Sequence, residues 1–388
     1  MTPTRGASSS HVRPERILLI APRFHSNQAD FVRKLREEGH DLLFLATDST
    51  KSEDHSQVTP HILKPTWLGT RLNHWRNPAN EPVARAANAV PSFREVWSEL
   101  SAFEPEAAVV KAFLAPYLVP ILAWLVVHRT PIVIFAQGAK FRSSQSLVRR
   151  LGLSLLLDVL GLKWFTVVER RVDQPSLIDS HPRMAFIPFF RFVPTDVSKR
   201  TYGRPPRLLA VGKYNRRKNF AALITALGMV HPGPGVRLTI VGECSRPEHR
   251  EVLAELHELI ERLQLQDCVE LLQNLEYAEV QSLYEAHDVF VMPSYGEPAS
   301  VSQIEAMSYG LAVICSADNG TAHYVQDGVN GFIVDRTAES IAVALERYLN
   351  ESGLAEQHGR ASTSRLQGEF SVEAAYQHIV SLIRDNPR

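Results

Sequence analysis

Short apolar runs alternate with amphipathic stretches in two successive series along this 388-residue chain. The runs have the length of buried strands, and the stretches have the period of helices. The first series opens with ERILLIAP at residues 15–22, continues with a helical spacing through Phe31, Leu35 and Gly39, and reaches a second apolar run, DLLFLAT. Strand, helix, strand is the start of a doubly wound parallel sheet. AAVV from Ala107, a helix over 116–128, IVIFAQG from Ile132, a helix over 144–160 and KWFTVV from Lys163 extend it. Residues 49–90 break the rhythm with Pro60, Pro65, Pro78 and Pro82, and read as an irregular excursion.

The second series begins with RLLAVG at Arg207. A helix from Asn219, the strand VRLTIVG, a long helix over 248–263, the strand CVELL, a helix over 278–286, the strand DVFVM and a helix carrying Glu305 follow. Between the two series the text FRFVPTDVSKRTYGRPP is polar and rich in turn formers. The spacing therefore predicts an N-terminal Rossmann-like domain over 1–195, a linker over 196–206 and a second Rossmann-like domain over 207–370. A last helix over 371–388 carries Val372, Ala375, Ile379 and Ile383 on one face. No short-period repeat or low-complexity tract interrupts this plan.

Composition adds limits. Hydrophobic residues at 45% and charged residues at 22% describe a soluble globular chain. The longest uncharged apolar stretch, 112–127, is interrupted by Pro116 and Pro120 and is short for a membrane span, so a buried helix is expected there. The first fourteen residues lack the apolar centre of a secretory signal, which leads to the expectation of a cytoplasmic protein. Cys244, Cys268 and Cys315 are odd in number and show no C-x-x-C spacing, so they read as reduced core residues.

The net charge of zero hides an asymmetry. Residues 1–200 hold 26 Lys and Arg against 18 Asp and Glu, and residues 201–388 hold 16 against 24. The first half is therefore suited to something anionic. Within it, residues 129–171 carry eight basic and two acidic residues among the apolar text LGLSLLLDVLGLKWF. Lys140, Arg142, Arg149 and Arg150, beside Trp164 and Phe165, suit peripheral contact with anionic lipid. A helix packed on the sheet with a solvated basic end fits the same text, and both readings stand.

Chemistry concentrates in PSYGEPASVSQIEAMSYG, residues 293–310, which reads as the end of a strand, a loop with Glu297 and a helix with Glu305. A loop entering a helix offers unpaired N–H groups and the positive end of the helix dipole to phosphate. Ala299, Ser300 and Val301 are placed to supply those N–H groups, whereas Pro298 has none. With the two carboxylates up to about 10 Å apart along the helix, one can accept from sugar hydroxyls and the other from ribose hydroxyls. Upstream, Gly212, Lys213 and Lys218 in VGKYNRRKNF follow a strand, at the edge where open α/β sheets bind ligands. His25 and the pair Gln137-Gly138 follow strands of the first series.

At these residues the chain resembles the retaining nucleotide-sugar glycosyltransferases of the GT-B fold, family 4 type, also called glycosyl transferases group 1. The E-x7-E motif with Ala306, Met307 and Gly310, the basic loop of residues 211–220, LTIVGE at 238–243 and VQDGVNGFIVD at 325–335 occur in that family's order. The resemblance implies two Rossmann-like α/β/α domains facing each other across a cleft, with the last helix returning to the first domain. It implies a nucleotide-sugar donor, UDP- or GDP-linked, held by Gly212, Lys213, Lys218, Glu297, Ala299, Ser300, Val301 and Glu305. The acceptor is then a sugar, lipid-linked or other hydroxyl, and no nucleic acid is involved. Lys213 and Lys218 steady the charge on the leaving diphosphate, with Glu297 beside them; His25, after a strand of the first series, is a further catalytic candidate and equally reads as a core or surface residue. The family lacks a dedicated base, and the leaving phosphate takes the acceptor's proton.

No D-x-D pair is present to hold a divalent metal, so metal independence and the absence of a further cofactor are expected; the chain also lacks a P-loop. Three places depart from the common family pattern. The turn after the first strand carries Arg23, Phe24, His25 and Ser26, Gln137 stands where His is usual, and Asn319-Gly320-Thr321-Ala322-His323 replaces Gly-Gly-x-x-Glu. These departures keep two alternatives open, a non-catalytic nucleotide-sugar-binding module and a GT-B epimerase.

Overall fold

The computed structural model describes residues 15–24, 26–49, 56–77, 82–111, 115–136, 147–167 and 181–384. The chain forms two compact units, one from residues up to Phe135 together with Leu382 onward, the other from Ala136–Ser381.

In the first unit, β1 (Arg16–Ile20), β2 (Asp41–Ala46), β3 (His61–Ile62), β4 (Ala107–Lys111) and β5 (Ile132–Ala136) stand in the order β3-β2-β1-β4-β5. β1 pairs in parallel with both β2 and β4, so the winding reverses between β1 and β4. α1 (Ser26–Glu37), α4 (Phe93–Phe103) and α5 (Val119–Val127) belong to the same alternation. Buried on both faces, the strands are apolar almost throughout, as parallel strands covered by helices must be.

The proline-rich stretch 49–90 is more ordered than its sequence suggests. It contains β3 and two helices, α2 (Trp67–Arg76) and α3 (Pro82–Asn88). Pro65 precedes the N-cap Thr66, whose hydroxyl accepts from the Gly69 N–H, and Pro82 opens α3, where a missing N–H costs nothing. Pro65 and Pro82 thus stand at helix starts and Pro60 precedes β3, while Pro78 lies outside the described residues. α4 went unassigned from sequence, although its Ser92 cap, accepting from the Glu95 N–H at 3.0 Å, is legible as Ser-x-x-Glu.

The second unit contains α6 (Leu147–Val159), the parallel pair β6 (Lys163–Thr166) and β7 (Met184–Phe186), and a six-stranded parallel sheet. Its strands β8 (Leu208–Val211), β9 (Leu238–Gly242), β10 (Val269–Gln273), β11 (Val289–Met292), β12 (Ala312–Ser316) and β13 (Gly331–Val334) stand in the order β10-β9-β8-β11-β12-β13. Around them lie α7 (Phe220–Met229), α8 (Pro247–Arg262), α9 (Tyr277–Ala286), α10 (Val301–Ser308), α11 (Ala338–Asn350), α12 (Leu354–Gln367) and α13 (Val372–Arg384). β12, α11 and α12 were not separated in the sequence pattern.

The segment expected as a linker is fastened to this unit. Arg200 Nη1 donates to the carbonyls of Tyr284, Glu285 and Tyr309 at 3.0, 3.2 and 3.0 Å, satisfying orphan acceptors at the ends of α9 and α10. Asp288, fully buried at the start of β11, accepts from the Arg207 N–H at 2.7 Å and lies 3.5 Å from Arg200 Nη2. At the far end of the chain, Leu382 onward groups with the first unit, and Arg384 Nε pairs with Glu15 at 3.3 Å. Cys244 and Cys315 are buried and Cys268 is partly buried, all as free thiols. Among the described residues, no helix is long and apolar enough to cross a membrane.

Candidate functional site

The second sheet reverses its winding between β8 and β11, and the loops leaving these two strands carry the residues singled out from sequence. After β8 the chain makes a 3-10 turn, Arg216–Lys218, capped by Asn215, whose side chain accepts from the Lys218 N–H. Asn219 follows in the left-handed region at φ 58°, where a short amide side chain is among the few tolerated. Its Nδ2 donates to the carbonyls of Pro293 and Arg336 at 3.1 and 2.9 Å, and the Tyr295 N–H donates to the Arg217 carbonyl at 2.8 Å. The loop after β8 is thereby fixed against the loop after β11.

Across this junction Lys218 Nζ lies 2.7 Å from Glu297 Oε2, and Arg217 Nη1 lies 2.6 Å from the same oxygen. Lys218 and Glu297 are 7% and 6% exposed, so the pair is removed from water while Arg217 remains half-exposed. Loss of hydration lowers the Lys218 pKa, and the Glu297 carboxylate opposes that shift. Gly212 has a role its sequence position did not reveal: a Cβ there would stand 2.7 Å from Lys218 Cε. The glycine leaves the channel through which the lysine reaches Glu297.

The other cations of the loop face elsewhere. Lys213 Nζ pairs with Glu243, just past β9, at 2.8 Å, with both side chains half-exposed. Burial pushes the Glu243 carboxyl up, but hydrogen bonds from Lys213 and Ser245 hold it below the usual range. Arg216 points outward to Glu255. Arg217, which the sequence did not single out, is the second cation at Glu297. Only its adjacency to Lys218 within a three-residue turn signalled this.

Two residues expected at the donor, Ser300 before α10 and Glu305 within it, have partners within the protein. Ser300 caps the helix, its hydroxyl accepting from the Gln303 N–H, but its own N–H donates to Thr321 Oγ1 at 3.3 Å. It is not one of three free donors awaiting phosphate. Glu305, expected to face ribose, is 6% exposed and engaged by the protein. Oε2 accepts from the Tyr284 hydroxyl at 3.1 Å, and Oε1 lies 3.3 Å from Arg191 Nη1 without a hydrogen bond of its own. Arg191 also donates to the Tyr277 hydroxyl, and burial followed by the Glu305 charge pushes that phenol up to about 12.

The departure from the family pattern at 319–323 acquires a structural explanation. Asn319 Nδ2 donates to Gln303 Oε1 at 2.7 Å, Gln303 Nε2 to the Thr321 carbonyl at 2.9 Å, and the Gly320 N–H to the Glu297 carbonyl at 2.7 Å. Gly320 lies so close that a Cβ would stand 1.8 Å from the Pro298 carbonyl oxygen. Residues 319–321 therefore lock the backbone on which Glu297 is mounted. His323, between Phe186, Tyr324 and Phe370, is held neutral by burial, its pKa pushed down to about 3.

His25, Gln137, Gly138, Lys140 and Arg142 lie outside the described residues, as do the side chains of Arg149 and Arg150. Trp164 and Phe165, expected beside lipid, are buried in β6, where alternate faces of the strand are both covered. The apolar exposure lies on α6 instead, at Leu151, Leu155 and Val159, which are 61%, 65% and 72% exposed.

Comparison with known proteins shows what the region of this site is similar to. Residues 195–365 match the sequence profile of the glycosyl transferases group 1. The chain is 29% identical over 183 residues to the lipopolysaccharide core biosynthesis glycosyltransferase LpsE of Rhizobium meliloti, covering 47% of this chain and 51% of that protein. It is 29% identical over 189 residues to a D-inositol 3-phosphate glycosyltransferase of Pseudarthrobacter chlorophenolicus, covering 47% and 43%. The chain thus spans about half the length of the curated relatives it matches. Among solved structures, a glycosyltransferase of Rickettsia africae superposes with a TM-score of 0.72 at 15% identity, covering 97% of this chain and 99% of the other. Anabaena Alr3699/HepE in complex with UDP superposes with a TM-score of 0.69 at 16% identity, covering 95% and 100%. The fold, two parallel-sheet Rossmann-like domains, is that of the GT-B glycosyltransferases.

His323 ties this region to pH. Its pKa of about 3 in the fold lies below the ordinary 6.5, so the unfolded chain binds the extra proton first. Stability contributed by the neutral ring is complete above about pH 6.5 and falls as pH drops toward 3, by up to about 1.4 kcal/mol per pH unit. Urea unfolding at pH 7 and pH 5 should show a loss of stability that is smaller in His323→Gln. Equal losses in the two proteins would contradict the assignment.

Proposed function

We propose that this chain, whose residues 195–365 carry a glycosyl transferases group 1 domain, moves a sugar from a nucleoside diphosphate donor to a hydroxyl acceptor with retention of anomeric configuration. The observation that carries this reading is the buried Lys218–Glu297 pair with Arg217 at the switch point of the second sheet, the place where open α/β sheets receive nucleotides. With the neighbouring Lys213–Glu243 pair, the pair and Arg217 make three cations and two carboxylates, so this edge retains one positive charge for an incoming diphosphate. A UDP- or GDP-linked sugar suits it, and the UDP and UDP-glucose complexes of Alr3699/HepE favour the former.

In this reading Lys218 and Arg217 neutralise the charge that develops on the diphosphate as the glycosidic bond breaks. Preorganised cations in a water-poor site do this without reorganisation at the moment of reaction. Glu297, shared between those cations and the sugar hydroxyls, orients the donor. Glu305 accepts the ribose hydroxyls once Arg191 gives up Oε1, a position supported by that oxygen's lack of a hydrogen bond. The acceptor hydroxyl attacks on the face the phosphate leaves and passes its proton to that phosphate. No metal or further cofactor enters the scheme, since the basic loop supplies the positive charge. A binding module without transfer, or an epimerase, would share the donor site but consume no acceptor.

Lys218→Ala should lower turnover by about 100-fold, the scale of losing one preorganised electrostatic group. Gly212→Ala should do nearly as much while leaving the folded state intact, because the flexible lysine rather than the backbone yields to the new Cβ. Activity should persist in excess EDTA, and proton NMR of the product should report the donor's anomeric configuration. Wild-type turnover in both variants would sink the site, and metal-dependent rescue or an inverted linkage would sink the mechanism.

The acceptor is proposed to be a lipid-linked or other saccharide, in keeping with the lipopolysaccharide context named for LpsE. Peripheral contact with an anionic bilayer is supported by the exposed ridge Leu151, Leu155 and Val159, one helical turn apart on α6, with Arg149 and Arg150 beside it in sequence. Co-sedimentation should favour anionic over neutral vesicles, weaken with salt and fall when Leu151 and Leu155 become Ser. Indifference to lipid charge or to those substitutions would leave α6 as a solvated helix.

A further inference from the structure

The first sheet has a switch point of its own, between β1 and β4. The crevice outside the carboxyl ends of two such strands is where this architecture receives ligands. Lys111, the last residue of β4, stands there. The Tyr117 hydroxyl donates to its carbonyl at 2.7 Å, which fixes the strand end. Lys111 Nζ donates to Asn27 Oδ1, in the first turn of α1, at 3.3 Å, and lies 5.6 Å from the ring centre of Phe135 on β5.

A neutral amide and an aromatic face are thus the neighbours of this ammonium, and no carboxylate pairs with it among the described residues. Lost hydration, uncompensated by any counter-ion, pushes it down to about 7. Lys111 is partly buried, and what hydration it gives up is returned by no counter-ion among the described residues, a cost an apolar side chain of equal length would not carry. Sugar hydroxyls alone could be met by amides or hydroxyls. A cation kept at such cost fits a ligand that brings the missing negative charge, and the excess of basic residues in the first half of the chain acts in the same direction.

We propose that Lys111 is the contact for an oxyanion, a phosphate monoester or a carboxylate, carried by the acceptor. The word acceptor rests on the glycosyl-transfer reading; the anion site does not. Lys111 binds the anion's oxygen, with Asn27 holding the ammonium over the switch point, and the acceptor's reacting hydroxyl belongs to the same molecule. The assignment places this chain after a reaction that installs a phosphate or an acid on its acceptor.

Isothermal titration of inorganic phosphate, and separately of acetate, into protein first saturated with UDP tests this without interference from the donor site. Wild type should bind at least one anion at millimolar concentration. Lys111→Met should weaken that binding about tenfold or more, Lys111→Arg should weaken it less, and UDP affinity should be the same in all three. Preference for phosphate identifies a phosphate monoester, and preference for acetate a carboxylate. Equal anion affinity in Lys111→Met, or no anion binding by wild type, overturns the proposal; failure of UDP to bind overturns the donor site instead. Lys111→Met and Lys111→Gln should also melt no lower than wild type, and collapse of both variants would make the lysine structural and end the proposal.

Discussion

The second unit is organised around one buried ion pair, Lys218 with Glu297, that joins the loops leaving β8 and β11. Bringing two charges out of water costs several kcal/mol each, and attraction between them returns that only with good geometry. The surrounding sequence supplies the geometry. Gly212 clears the lysine's path, Asn215 and Asn219 shape the turn that presents it, and Gly320 with Thr321 fixes the backbone behind the glutamate. A well-packed apolar pair would hold two loops together at less cost. The accumulation of glycines, capping asparagines and buried hydroxyls about one pair is therefore better understood as preorganisation than as stabilisation.

Both sheets carry a lysine at a switch point, and the two are solved differently. Lys218 has its counter-ion within the protein, whereas among the described residues Lys111 meets an amide and a ring. In the proposed function the first is a cation ready for a diphosphate that competes with Glu297 for it. The second awaits its partner altogether. Glu305 belongs to a third arrangement, a carboxylate covered by Arg191 and Tyr284. Ribose binding would exchange one partner for another rather than fill an open place.

Much of the fold was legible because parallel strands covered on both faces read as unbroken apolar runs, and ILLI, VVK, LTIVG and VFVM lie where the pattern put them. The helices at Trp67 and Pro82 escaped because proline reads as a breaker from sequence alone, while at a helix start its fixed φ is an advantage. The buried placement of Trp164 and Phe165 was obscured by neighbouring basic residues that say nothing of which way a strand faces. Lys218, Glu297 and Glu305 were singled out by their order along the chain and the family resemblance it carries. Their partners were not: Arg217, Arg191 and Thr321 act through contacts between residues 21 to 114 positions apart in the chain, which no local pattern records. Lys111 was invisible for a related reason, since what distinguishes it is the absence of a charged partner among the described residues.

The central claim is that the Lys218–Glu297 pair opens to receive a nucleoside diphosphate. A crystal structure of the protein with UDP or GDP bound tests it most directly. The account predicts Lys218 Nζ at about 2.8 Å from a diphosphate oxygen, the distance of a charge-assisted hydrogen bond, with the diphosphate at the carboxyl ends of β8 and β11. A nucleotide bound elsewhere, or bound with Lys218 still closed on Glu297 and out of reach of the phosphates, would contradict it.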